Sequence, residues 1–163
     1  MTPSTVIELP NDHEVLVTRE FEAPIALVFD VLTNPEHVRR WFGPAGEEMT
    51  ECSIDLRVGG SYHYVFVTDD GTEMSFRGTY TEVEPPTLTV STWGLDGRPN
   101  ADAVETMELH EADGVTTLTV KLAFADTAGR PTRFEGMQAS FDRMADVVSS
   151  LVDSRGAVSG QNA

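Results

Sequence analysis

The chain has one cysteine, Cys52, and one lysine, Lys121, in 163 residues. A lone thiol allows no intrachain disulfide, which fits a reducing interior. Its neighbours Thr50, Glu51 and Ser53 include no cation to depress a thiol pKa, so Cys52 reads as a strand residue and not a nucleophile. Basic side chains are scarce, with 11 Lys and Arg against 27 Asp and Glu and a formal net charge of −16. Such a chain is repelled by nucleic-acid backbones and anionic lipid surfaces, which excludes both as partners. No run approaches the ~18 apolar residues of a membrane-spanning helix. Met1 to Pro10 lacks the basic start and apolar core of a secretory signal, so the expected compartment is cytoplasmic. His13, His37, His63 and His110 are scattered with no two at ligand spacing, and neither a metal nor a cofactor is expected. Ser53, Ser61 and Ser75 are expected to lack a histidine partner, and none sits in a nucleophile elbow. The pair Gly59-Gly60 precedes a strand, not a helix, so it makes no phosphate-cradling loop.

What is present is a strand, two short helices, a meander and a long helix. A strand is expected near residues 13–21, followed by a helix in which Ile25, Val28, Phe29 and Leu32 recur at helical spacing behind Pro24. Asn34-Pro35 ends it and starts a second short helix, with Val38, Trp41 and Phe42 on one face. Strand-like runs follow near 49–56, 61–68, 73–83, 87–95, 103–111 and 115–124, punctuated by Asp70-Gly71, Asp96-Gly97 and Asp113-Gly114. In Ser61-Tyr62-His63-Tyr64-Val65-Phe66 the alternation puts three rings on one face and His63 on the other. Thr132 and Glu135 form a capping-box pattern after Pro131, and Phe134, Met137, Phe141, Met144, Val148 and Leu151 then mark one helix face to about residue 152. That helix would be about 30 Å long, enough to cross the sheet. The flanks read as a flexible N-terminus over 1–12 and a disordered tail over 154–163, leaving a single domain over 13–153.

These residues, in this order, resemble the START-like (Bet v 1-like) superfamily, and within it the branch named for the activator of Hsp90 ATPase homologue domain. The carriers are Ala23-Pro24, Asn34-Pro35-Glu36-His37, Trp41-Phe42-Gly43-Pro44, Asp55 to Gly60, Gly78 to Val83 with Pro85-Pro86, and Glu135-Gly136-Met137. The resemblance implies an α+β helix-grip fold, in which a curved antiparallel sheet (β-α-α-β6-α) wraps a long C-terminal helix around an internal cavity. Carried over position by position, it puts Trp41 and Phe42 at the cavity mouth and Tyr62, Tyr64 and Phe66 on the wall. Phe76, Tyr80 and Trp93 come from neighbouring strands, and Met137, Phe141 and Met144 from the helix. Glu82, in phase with Tyr80, is the polar group expected to face the same volume. Asp55 and Arg57 read as a structural ion pair. No residue earns a catalytic label.

The expected function is binding of a small, mostly apolar ligand, aromatic or lipid-like, by a monomer or homodimer. A cyclase or aromatase-type enzyme is the alternative. It needs an ionisable side chain inside the cavity. The branch name adds a chaperone-interaction module as a further alternative, and a toxin or stress-response accessory acting through a dimer face is another.

Overall fold

A computed structural model describes residues 5–43, 48–132 and 134–161 of the chain; Pro44 of the Trp41–Pro44 motif and Arg133 of the capping segment lie outside the described residues. The strands are β1 (Val6–Glu8), β2 (Glu14–Phe21), β3 (Glu48–Ile54), β4 (Ser61–Val67), β5 (Glu73–Glu84), β6 (Leu88–Leu95), β7 (Arg98–Ala112) and β8 (Val115–Phe124). The helices are α1 (Ile25–Thr33), α2 (Pro35–Trp41), a 3-10 turn (Thr127–Gly129) and α3 (Glu135–Gln161). Every strand pairing is antiparallel, and the sheet order is β1-β2-β8-β7-β6-β5-β4-β3.

This order gives α1 and α2 their task. They carry the chain from β2 to the opposite edge of the sheet, and the meander then returns strand by strand until β8 pairs with β2. α1 turns Leu27, Val28, Val31 and Leu32 inward, a stripe at helical spacing. Asn34 serves both helices. Its backbone N–H donates to the Asp30 carbonyl at the end of α1, and its side chain accepts from the Glu36 N–H at the start of α2. Both groups would otherwise be orphaned at a helix end.

The helix-grip architecture is the one expected, with differences at both ends. Val6–Glu8 forms β1 on the β2 edge, inside the segment read as flexible; its polar flanks hide a pairing that only the β2 edge supplies. α3 runs to Gln161, through most of the segment read as a disordered tail. It begins at Glu135, where the Gln138 N–H donates to the Phe134 carbonyl, so the capping pattern at Thr132 lies short of the helix. The half-buried Phe134 packs against the core and sets that start.

α3 lies on the concave side of the sheet, and its closest backbone neighbours are α2, α1 and β2. Between α3 and the middle strands, separation is kept by large side chains. The core runs from Val15, Val17 and Phe21 on β2 through Leu118 and Val120 on β8 to Met144, Val147 and Val148 on α3. No described helix is long and apolar enough to cross a membrane.

Candidate functional site

The concave face leaves a cavity of about 220 Å³ beneath α3. Its floor is made by Val17, Val120 and Leu122 on β2 and β8, with Met107 on β7, and its roof by Met137, Ser140 and Phe141 on α3. Trp41, Phe42, Phe76 and Trp93 supply the aromatic walls. Phe141, Trp41, Phe42, Phe76 and Trp93 form a continuous chain of rings, with successive centroids 6.0, 5.9, 5.4 and 5.7 Å apart. Such separations suit edge-to-face and offset packing.

The mouth segment is clamped to α3. Ser140 Oγ accepts from the Gly43 N–H at 3.1 Å and donates to the Gly43 carbonyl at 2.9 Å, and the Arg143 guanidinium donates to the Trp41 and Gly43 carbonyls. Gly43 has φ +103°, and a Cβ there would fall within the Phe66 ring. Only glycine allows both the backbone turn and that close approach. The Trp41 indole donates to the Val31 carbonyl at 2.9 Å, which ties the end of α2 to α1.

Six of the residues expected in the cavity lie elsewhere, five of them apolar or aromatic. Tyr62, Tyr64, Phe66 and Tyr80 are buried in side-chain packing beside the cavity, and Met144 is enclosed under α3. Tyr62 stacks on Tyr64 at 5.0 Å and lies 5.7 Å from Tyr80. Its hydroxyl reaches across β5 to donate to the Thr92 carbonyl at 3.0 Å. Gly78 permits this, because a side chain there would collide with the Tyr62 ring and the Thr92 backbone. Burial pushes the phenols of Tyr62, Tyr64 and Tyr80 up, so all three are neutral at ordinary pH.

Glu82 is exposed and faces away from the cavity. The reason is a bulge in the β5–β6 ladder: Tyr80 pairs with Ser91 and Glu82 with the very next residue, Val90. The extra residue reverses the phase of β5, turning Glu82 out and Val83 toward the core.

Among the described residues, the ionisable side chain that lines the cavity is Glu105, on β7. It sits in register between Ser91 on β6 and Leu122 on β8. It is half-buried, and burial raises its carboxyl to about 7 with no described cation or hydrogen bond to offset the effect. A signal exists in the sequence. Ala103, Glu105, Met107 and Leu109 share one strand phase, and Glu105 is the one polar residue among them.

The outer face carries a second correction. β3, β4 and β5 bring together Glu51, His63 and Ser75: His63 Nε2 lies 2.5 Å from Ser75 Oγ, and His63 Nδ1 lies 3.5 Å from the Glu51 carboxylate. Ser75 therefore has the histidine partner that its sequence surroundings did not suggest. The order resembles a hydrolytic triad, but it lies on the face opposite the cavity, and Ser75 lines no described pocket. Cys52 is half-buried on β3, and burial pushes its thiol up, away from nucleophilic use. Asp55 and Arg57 form an exposed ion pair at 2.9 Å. Among the described residues no group of three His, Cys, Asp or Glu is placed to hold a metal ion.

A curved antiparallel sheet gripping one long helix over an apolar cavity defines the helix-grip, START-like class. The profile of the family described as Activator of Hsp90 ATPase homolog 1-like protein matches residues 22–149, and the chain belongs to that family. A crystal structure of a Rhodobacter sphaeroides protein matches with a TM-score of 0.84 and 20% identity over 90% of this chain and 99% of that one. A Chromobacterium violaceum protein matches with a TM-score of 0.77 and 24% identity, over 85% of this chain and 98% of its own. DynU16, a protein in the dynemicin biosynthetic locus, matches with a TM-score of 0.64 and 24% identity over 86% of this chain and 48% of its own. At these identities the likeness is one of fold. No curated protein matches the chain.

Proposed function

We propose that the protein binds a small, largely apolar molecule in the cavity under α3. The observation that carries this reading is an apolar volume that, among the described residues, is walled by five aromatic rings and broken by one carboxyl group. Ligand cavities commonly measure roughly 300–1,000 Å³. At about 220 Å³ this one suits a molecule of one or two rings, not a long lipid chain. Desolvation of that molecule supplies the affinity.

Because Trp41 and Trp93 both line the cavity, their fluorescence reports its contents. Titration with naphthalene is expected to give a saturable change in the wild type and none in Val120→Phe, which places a ring on the cavity floor. Circular dichroism matching the wild type would show that the variant still folds. Equal response from both proteins would locate binding elsewhere, and no response from the wild type would remove this reading.

Glu105 also favours the enzymatic alternative, since an enclosed carboxyl near neutrality is the acid–base group that cyclase-type chemistry requires. DynU16, of similar fold, comes from a biosynthetic locus. Binding is the better-supported reading because two other polar groups of the lining are already engaged: Ser140 by Gly43 and the Trp41 indole by Val31.

A further inference from the structure

Glu105 narrows the ligand class, and the argument rests on the binding role proposed above. We propose that the cavity takes a small arylalkyl amine, with its nitrogen on an alkyl carbon, as the ammonium ion, with the positive charge against the Glu105 carboxylate and the ring among Trp41, Phe42, Phe76, Trp93 and Phe141. The choice follows from what each ligand class would leave unpaired. A purely apolar ligand would strand a carboxyl in apolar surroundings, at the cost of a buried polar group without a partner. An anionic ligand would meet a like charge, and no Lys, Arg or His lines the cavity among the described residues. An ammonium supplies the missing counter-ion, and its charge is also attracted to the faces of neighbouring rings. The chain's net charge of −16 attracts cations to the protein as a whole.

The groups that face Glu105 set its pH dependence. Ser91 on β6 and Leu122 on β8 flank it, Met137, Ser140 and Phe141 lie above on α3, and the phenols of Tyr62, Tyr80 and Tyr64 stand nearby on β4 and β5. Those phenols stay neutral, so among the described residues the carboxyl is the titrating group of the site. An alkyl ammonium titrates near the lysine value of about 10 and stays charged throughout. In the empty cavity Glu105 ionises around pH 7. Amine affinity is therefore expected to fall as pH drops below that value, by about 30-fold between pH 8 and pH 5.5 if only the ionised form binds. A ligand that accepts a hydrogen bond from the protonated carboxyl would show the opposite slope.

The probes are 1-naphthylmethylamine and 1-naphthalenemethanol, which share a ring system and differ in charge. Tryptophan fluorescence is to be titrated with each at pH 8 and pH 5.5, in the wild type and in Glu105→Gln. At pH 8 the wild type is expected to bind the amine at least tenfold more tightly than the alcohol. The preference should vanish in Glu105→Gln and shrink at pH 5.5. The wild-type pH series stands alone if the variant does not fold. Equal or tighter binding of the alcohol at pH 8 would overturn the amine assignment while leaving the apolar binding role intact. A preference for the amine that survives in Glu105→Gln would also overturn it, by placing the charge elsewhere. Failure of both probes to bind would overturn the assignment together with the role beneath it.

Discussion

Glu105 shows what one side chain can decide. Its carboxyl titrates near 7 in the folded chain instead of near 4.5, so the native state holds a proton over an interval in which the unfolded chain has released it. Native protons in excess mean that stability falls as pH rises through that interval. The wild type should therefore lose stability between pH 5 and pH 8 relative to Glu105→Gln, by on the order of 3 kcal/mol at most. Urea unfolding of both proteins at the two pH values measures this. Parallel behaviour would mean that water in the cavity solvates the carboxylate fully. The cost of keeping such a group enclosed is a physical reason to look for a partner that neutralises it.

At the scale of elements, the cavity exists because α3 is held off the middle of the sheet. The Ser140 and Arg143 hydrogen bonds fasten α3 to the Trp41–Gly43 segment, and the Trp41–Phe141 stack, with centroids 6.0 Å apart, fills the seam between them. Phe141 is 6% exposed, yet it also borders the cavity. It therefore has both a packed side and an open one. Phe141→Ala is expected to cost about 3 kcal/mol, toward the low end for an aromatic truncation, because part of the ring already lacks neighbours. Chemical denaturation gives the value. A loss under about 1 kcal/mol would mean that the ring mainly lines empty space.

For the whole molecule the dominant quantity is charge. Described ion pairs such as Arg57–Asp55, Arg77–Asp96 and Lys121–Glu14 engage only part of the acidic side chains. The remainder repel one another across the surface. Screening should relieve this, since the Debye length falls from about 30 Å at 0.01 M salt to about 3 Å at 1 M. The melting temperature is expected to rise by several degrees between 10 mM and 0.5 M sodium chloride, where about 1 kcal/mol corresponds to roughly 2–4 °C for a chain of this size. A flat or falling Tm would show that the acidic surface is already neutralised by its own pairing.

Local order is strongly written in this sequence, because its signals need only near neighbours. Alternating apolar residues mark the strands, Asp-Gly pairs mark hairpins, and Asn34-Pro35 separates two helices by a cap that spans a few residues. The helix-grip topology follows from that order of elements together with the family resemblance. What the sequence left open depends on register between distant segments. The β5 bulge turns Glu82 outward, a strand paired on both sides holds Glu105 at the cavity, and three strands bring Glu51, His63 and Ser75 together. An extra residue in one strand reverses every side chain beyond it, and nothing within that strand alone announces which residue will be unpaired. So the residues themselves determined a curved sheet with a helix across it, while packing alone decided which rings border the cavity and which carboxyl enters it.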